Sequence, residues 1–136
     1  MRKILIMLII ISIIITACTS NKEQITDNPE KIAIYYFWTD GCPSCDAQTE
    51  FMQKLEERYE ELEIKYYDLN EQEAKRLLEQ LSEAYEERVI TAPATFISDK
   101  VIIGFGYEET TGKIIEDEIK RCKQILCKNP ADILNE

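Results

Sequence analysis

Two cysteines in the first half of the chain have the clearest chemical potential. The tetrapeptide Cys42-Pro43-Ser44-Cys45 places two thiols three positions apart, so that they can close and reopen a small disulfide. Exchange of this kind needs one thiol that is ionised and accessible, and a second that resolves the mixed disulfide. The spacing therefore predicts a redox-active pair.

The segments on either side predict where this pair lies. Residues 31–38 (KIAIYYFW) indicate a buried strand. One face of a following helix is predicted from Ala47, Phe51, Leu55, Tyr59 and Leu62. Unpaired N–H groups in the first turn of that helix stabilise a thiolate, so the cysteine pKa falls below its usual value of about 8.5. We expect Cys42 to be the nucleophile, at the N-cap or just before it, and Cys45 to be the buried resolving thiol.

Two other classes of protein remain open for the same cysteines. One is a zinc-binding structural module that uses Cys42, Cys45, Cys122 and Cys127. The chain has no histidine and no second Cys-x-x-Cys, which favours exchange over metal binding. The other is a non-catalytic binding module in which the Cys42–Cys45 disulfide is a static staple.

The N-terminal end has the features of an export signal. Met1-Arg2-Lys3 is basic, and the apolar run from Ile4 to Ile15 is shorter than the roughly 20 residues of a spanning helix. The following Ile15-Thr16-Ala17-Cys18 resembles the lipobox of prokaryotic lipoproteins, which implies a lipid on Cys18. An ordinary signal peptide or an uncleaved anchor is the alternative. We expect the protein on the outer face of the cytoplasmic membrane, lipid-anchored, or else secreted or periplasmic, where disulfides persist.

The chain divides into four predicted segments. Residues 1–17 form the signal peptide, and residues 18–30 hold the lipid-attachment cysteine and a polar, flexible tether. Residues 31–128 form one folded domain, and residues 129–136 form a C-terminal tail.

The charge balance is acidic, with 26 acidic and 16 basic side chains and a net charge of −10. Loss of Arg2 and Lys3 with the signal peptide makes the mature chain more acidic still. A phosphate backbone would be repelled, so we expect no nucleic-acid partner. Many of the acidic residues fall on predicted helix faces, where solvated surface is expected rather than an acidic docking site.

The apolar pattern predicts the element order β-α-β-α-β-β-α. After the first helix come a strand at residues 63–69, a helix with Asn70 as N-cap and Glu73 in its capping box, and a hairpin of residues 94–97 and 101–105. The inner stripe of the last helix is predicted as Ile115, Ile119, Cys122 and Leu126. We expect an α/β fold with a central mixed sheet of about four strands and helices on both faces. Two β-α-β connections predict parallel strands with one antiparallel edge.

From about Lys31 to Leu126 the chain resembles the thioredoxin-like family. The resemblance rests on Phe37-Trp38 before the cysteine pair, on Ala92-Pro93 before a strand, and on Gly104-Phe105-Gly106 before the last helix. It implies a thioredoxin-like fold, thiol–disulfide oxidoreductase activity and no cofactor. It also implies a cis peptide at Pro93, with Ala92 and Pro93 as a ledge for the substrate. The implied rim of the site is Trp38, Thr39, Asp40 and Gly41.

The chain also departs from that family. Its Pro-Ser dipeptide replaces the Gly-Pro of thioredoxin and is closer to glutaredoxins and some disulfide isomerases. Tyr36 stands where thioredoxins often have a buried acid, so the Cys45 proton must use water or another group. The implied partners are protein thiols and disulfides and a membrane redox protein, either a quinone-linked oxidase or an electron-importing transporter. The chain is expected to be a monomer, and the direction of electron flow stays open.

Cys122 and Cys127 form the remaining pair of cysteines in the folded domain. In a continuous helix their α-carbons would lie roughly 8 Å apart, too far for a disulfide. We therefore expect the helix to end near residues 124–126 and the chain to turn back, so that Cys122 and Cys127 can bond. A buried free thiol at Cys122, or a second redox-active pair that relays electrons, is the alternative.

Overall fold

Four strands and three α-helices account for most of residues 31–135, the part of the chain that the computed structural model describes. The strands are β1 (Ile32–Trp38), β2 (Leu62–Asp68), β3 (Ala94–Ile97) and β4 (Lys100–Ile103). The α-helices are α1 (Pro43–Arg58), α2 (Gln72–Ala84) and α3 (Lys113–Gln124). A π-helical turn (Glu108–Gly112) leads into α3, and a 3-10 helix (Pro130–Asn135) follows it. The predicted signal peptide, Cys18 and the tether lie outside the described residues.

The strands form one mixed sheet in the order β2-β1-β3-β4. β1 pairs with β2 in parallel, and β3 is antiparallel to both of its neighbours, β1 and β4. The β-branched and aromatic side chains of β1 suit its central position, where residues 32–37 are all buried. The prediction of an α/β fold with a mixed, four-stranded sheet is confirmed.

The direction of β3 was predicted wrongly. A β-α-β connection implies that β3 runs parallel to β1, but the two strands are antiparallel, with Phe37 opposite Ala94. The cause is the segment between α2 and β3, residues 85–93, which contains no helix or strand. At about 3.3 Å per residue it can reach roughly 30 Å, enough to bring the chain back along the sheet before β3 begins. As a result β3 starts at the end of the sheet where β1 finishes.

Alternation along β1 divides the interior into two cores. The side chains of Ile32, Ile34 and Tyr36 pack with α1 and α3, while those of Ala33, Tyr35 and Phe37 pack with α2. The sheet therefore has helices on both faces, as predicted. The same alternation places Trp38 on the α1 side, where it packs against the first core.

Several details of the helices differ from the sequence predictions. Leu62, predicted on a face of α1, is the first residue of β2, because α1 ends at Arg58. The N-cap of α2 is Glu71 rather than Asn70, and its side chain makes no capping hydrogen bond. Ala47 is exposed, because the buried face of α1 begins with Cys45 and Gln48. Leu126 is 80% exposed, since α3 ends at Gln124 and the apolar stripe does not continue beyond it.

The segment that the sequence analysis assigns to a tail is packed in part. The 3-10 helix Pro130–Asn135 contacts α2, and Pro130 is buried. Ala131 packs against the second core, beside β1. Within residues 31–135, none of the helices combines the length and the apolar character needed to cross a membrane.

Candidate active site

Cys42 and Cys45 form a disulfide at the N-terminus of α1, called here the helix-start disulfide, with α-carbons 5.2 Å apart. Cys42 is the N-cap, and Pro43 occupies the first turn, where its missing N–H leaves no hydrogen bond unmade. The Cys42 Sγ accepts a hydrogen bond from the backbone N–H of Cys45 at 3.1 Å. A thiolate on the same sulfur would gain from this N–H and from the positive end of the helix dipole.

The two sulfurs differ in access to solvent. Cys42 is half-buried, whereas Cys45 is 1% exposed and lies on the buried face of the first turn of α1. An incoming sulfur can therefore approach Cys42 but not Cys45. This asymmetry is what exchange requires of an attacking and a resolving cysteine.

The loop between β1 and α1 forms the rim of the site. Gly41 has φ +67°, a left-handed conformation that glycine adopts without steric strain. Asp40 Oδ2 accepts a hydrogen bond from Asn70 Nδ2 at 3.2 Å, and Trp38 O accepts one from Leu69 N at 2.8 Å. These contacts fix the rim to the segment that precedes α2. Trp38 and Thr39 are half-buried, and Asp40 and Gly41 are exposed.

The Ala92–Pro93 segment lies at the same end of the sheet. Its peptide bond is cis, and Pro93 O accepts a hydrogen bond from Gly104 N at 2.8 Å. Because Ala94 pairs with Phe37, Pro93 stands level with Trp38 at the end of β1. By strand alternation Pro93 faces the same side as Thr95, which contacts α1. Ala92 is half-buried and Pro93 is buried, and this segment, at the end of the sheet where β1 finishes, is called here the wall.

A buried polar cluster lies beneath the helix-start disulfide. The Tyr36 hydroxyl donates a hydrogen bond to Cys45 O at 2.8 Å and shares another with Thr49 Oγ1 at 3.1 Å. Burial raises the pKa of Tyr36, with a further contribution from the nearby Asp46 carboxylate. Tyr36 is therefore a neutral hydrogen-bond donor at neutral pH and does not replace a buried acid as a proton acceptor.

Gln48 and Thr95 complete this cluster, and the sequence analysis did not single out either residue. Gln48 Nε2 donates a hydrogen bond to Thr95 Oγ1 at 2.5 Å, and the side chains are 1% and 0% exposed. Gln48 Oε1 has no hydrogen-bond partner among the described residues. The available signal was the spacing of Cys45, Gln48 and Met52, which puts an amide on an otherwise apolar helix face.

The second disulfide, Cys122–Cys127, is called here the helix-end disulfide and has α-carbons 5.2 Å apart. Cys122 lies in the last turn of α3, and α3 ends at Gln124, within the range that the sequence analysis gave. Cys122 and Cys127 line a groove of about 680 Å³ that also includes Lys31 and Ile32 at the start of β1. The Glu118 carboxylate, which is paired with Arg121, lies within 4.8 Å of both sulfurs.

The two disulfides occupy opposite ends of β1. The helix-start disulfide follows the last residue of the strand, and the helix-end disulfide lies beside its first residue, Ile32. Seven residues at about 3.3 Å each separate the two ends by roughly 20 Å. This distance disfavours a single zinc ion held by all four cysteines, because zinc–sulfur bonds are about 2.3 Å long. It also disfavours direct relay of electrons from one pair to the other.

Comparison with known proteins gives a likeness at the level of fold. No family model matches the sequence, and no curated protein matches it. The crystal structure of protein AGR_C_4864 from Agrobacterium tumefaciens is similar, with a TM-score of 0.54 and 16% sequence identity. The match covers 71% of this chain and 48% of that one, so the chain spans about half the length of the similar structure. The shared feature is a mixed α/β architecture.

Proposed function

We propose that this protein is a membrane-tethered, extracytoplasmic thiol–disulfide oxidoreductase with a thioredoxin-like fold. The observation that carries the proposal is the position of the helix-start disulfide. Its accessible sulfur is the N-cap of α1 and accepts a backbone hydrogen bond, while its second sulfur is buried one turn later. A sheet with a parallel β1–β2 pair, an antiparallel β3–β4 hairpin and the Ala92–Pro93 segment beside Trp38 supports the proposed fold.

The proposed reaction begins at Cys42. In the reductive direction its thiolate attacks a substrate disulfide, one substrate sulfur leaves as a thiolate, and a mixed disulfide forms. Cys45 then loses its proton and attacks the Cys42 sulfur. The mixed disulfide breaks, the second substrate sulfur leaves and takes up a proton, and the Cys42–Cys45 bond closes. Two electrons pass from the cysteine pair to the substrate, and in the oxidative direction every step is reversed.

Substrate binding is assigned to the wall and rim beside the disulfide. Ala92 and Pro93 precede β3 at the end of the sheet where Cys42 is accessible. An extended segment of a substrate protein could lie along them with its sulfur toward Cys42. Trp38, half-buried at the end of β1, offers an apolar surface on the other side of the approach.

The proposed tether fits the placement of the two ends of the domain. Lys31, the first described residue, lies beside the helix-end disulfide, roughly 20 Å from the helix-start disulfide. A chain anchored through Cys18 would enter the domain at that end, so the helix-start disulfide would face away from the anchor. A membrane redox partner, either a quinone-linked oxidase or an electron-importing transporter, is proposed to restore its redox state.

Mixed-disulfide trapping combined with an activity assay tests the proposal. Cys45→Ser should accumulate mixed disulfides with substrate proteins in cells, because the resolving thiol is absent. Cys42→Ser should trap nothing and should lose thiol-dependent reduction of a model protein disulfide. Cys127→Ser is the matched control, since it also leaves one unpaired cysteine, but at the opposite end of the domain. The normal redox state of the trapped proteins then assigns the direction of electron flow.

Two outcomes would replace the proposal with another class of protein. If Cys42→Ser keeps full biological function and Cys45→Ser traps no partner, the helix-start disulfide is a static staple in a binding module. If the reduced protein binds stoichiometric zinc and shows no exchange activity, the cysteines are metal ligands.

A further inference from the structure

Among the described residues, Gln48 has a buried side-chain oxygen that makes no hydrogen bond. Its Oε1 lies in the interior without a hydrogen-bond partner among residues 31–135. An unmade hydrogen bond of this kind destabilises the folded protein, so buried amides are normally paired at both ends. Here only the nitrogen end is paired, through Thr95.

The position of Gln48 on α1 directs its side chain toward Cys45. The two residues are three positions apart, both are buried, and they share one face of the helix. Side chains on a helix lean toward its N-terminus, over the preceding turn. The turn before Gln48 contains Cys45, whose sulfur is bonded to Cys42 in this structure.

Reduction of the helix-start disulfide adds the donor that this acceptor lacks. Opening the bond converts Cys45 into a thiol, which carries one weak S–H donor. The buried sulfur has no access to bulk solvent, and the hydroxyl of Tyr36 is already used on Cys45 O and Thr49. We propose that Gln48 Oε1 accepts a hydrogen bond from the Cys45 thiol in the reduced protein and so holds the resolving cysteine in its protonated form.

The inference rests on the proposed function, since it concerns the reduced state of the same pair, and it makes Gln48 a positioning residue. A carboxamide oxygen does not take up a proton near neutral pH, so Gln48 does not act as a base. The Cys45 proton therefore leaves only when the sulfur attacks the mixed disulfide, and it passes through water to the departing substrate thiolate. Until then the buried sulfur is neutral, which avoids a buried charge.

The S–H stretching band in the infrared spectrum tests this contact directly. In the full chain with Cys18→Ser and Cys42→Ser and an intact helix-end disulfide, Cys45 is the remaining free thiol. Its band should lie at lower wavenumber than in the same protein with Gln48→Leu, where the acceptor is gone. Gln53→Leu is the matched control, because Gln53 is exposed on the same helix, and it should not move the band.

A pH profile supplies a second readout that a structural role alone would not move. The NMR chemical shift of the Cys45 β-carbon, which needs no reagent at the buried sulfur, should have its titration midpoint about one pH unit or more higher in Gln48→Glu, because a carboxylate beside a thiol disfavours the thiolate. Gln53→Glu should leave the midpoint unchanged. If Gln48→Leu does not fold, Gln48→Met, which keeps the length of the side chain, serves for the infrared comparison.

The inference is wrong if the infrared band and the Cys45 titration midpoint are the same with and without the Gln48 amide in folded protein. That outcome is separable from failure of the proposed function, because neither measurement uses a substrate. A shifted band in a protein without exchange activity would keep the contact and reject the function. An unshifted band, together with exchange activity in the protein that keeps Cys42, would reject the contact and keep the function.

Discussion

The two disulfides of this domain join α-carbons at the same distance but lie at opposite ends of their helices. Both have α-carbons 5.2 Å apart, yet one lies at the start of α1 and the other at the end of α3. At the helix-start disulfide, N–H groups and the positive end of the dipole favour a thiolate. At the helix-end disulfide, the negative end of the dipole opposes one, and the nearby carboxylate of Glu118 is paired with Arg121.

Position on a helix, more than sequence spacing, separates the proposed exchange pair from the pair that we interpret as structural. Cys42 is also half-buried and follows the rim, which is part of the proposed substrate site, whereas Cys122 is buried and packs in the first core. We therefore interpret the helix-end disulfide as a clamp that closes the chain after α3.

Removal of the helix-end disulfide should have the largest effect on stability. Replacing both Cys122 and Cys127 with Ser frees a six-residue loop in the unfolded chain. Because the unfolded chain gains entropy, the free energy of unfolding should fall by about 2 kcal/mol. Urea unfolding of the oxidised protein measures it. Disulfide exchange at neutral pH should stay at the wild-type rate in the folded variant. A loss of exchange without loss of stability would show that the helix-end pair takes part in the reaction.

Selective alkylation compares the two pairs as nucleophiles. After complete reduction, Cys42 should react with iodoacetamide at pH 7 about tenfold faster than Cys122, because only the first sulfur is at a helix N-terminus and accessible. Mass mapping of the alkylated peptides under native conditions gives both rates. Equal rates, or a faster rate at Cys122, would show that the start of α1 does not favour a thiolate more than the end of α3 does.

Tyr36→Phe tests the polar support beneath the helix-start disulfide. The substitution removes the hydroxyl that donates to Cys45 O and contacts Thr49, so we expect a loss of about 1 kcal/mol in the free energy of unfolding. Tyr66→Phe, at a tyrosine whose hydroxyl bonds an exposed Glu56, is the matched control and should lose less. An effect of Tyr36→Phe no larger than that of the control would show that this hydroxyl does not support the site.

The smallest expected effect is a change of stability with pH that arises from Glu116, on the same helix as Cys122. A hydrogen bond from Tyr59, with further ones from Lys120 and Arg58, lowers the pKa of Glu116 from its usual 4.5 to about 2. A carboxyl group whose pKa is lower in the folded state stabilises the fold at a pH above its unfolded-state pKa. That contribution to stability is lost as the pH falls from 4.5 toward 2. The difference in urea midpoint between wild type and Glu116→Gln should therefore be present at pH 6 and shrink toward pH 2. A constant difference would mean that these contacts do not favour the ionised form of Glu116.

The sequence indicated the local features of this molecule better than the long-range ones. The position of Cys42 at the start of a helix follows from the strand pattern before it and the helix pattern after it. The end of α3 before Leu126 follows from the spacing of Cys122 and Cys127. Both depend on neighbours in the chain.

The features that were missed depend on contacts between distant segments. The antiparallel direction of β3 is set by how residues 85–93 cross the sheet, which local periodicity does not encode. The pairing of Gln48 with Thr95 joins residues 47 positions apart, so neither residue alone predicts it. The exposure of Ala47 likewise shows that the buried face of α1 is set by what packs against it.

The most direct test of the comparison is a redox equilibrium resolved for each disulfide. The metal-free protein is equilibrated with thiol–disulfide buffers of increasing reducing strength, free thiols are trapped with acid and alkylated, and peptides are mapped by mass. We predict that Cys42 and Cys45 become reduced reversibly and together, while Cys122 and Cys127 stay bonded until much more reducing conditions. Reduction of Cys122–Cys127 at the same point, or before Cys42–Cys45, would contradict the assignment of the helix-start disulfide as the exchange site.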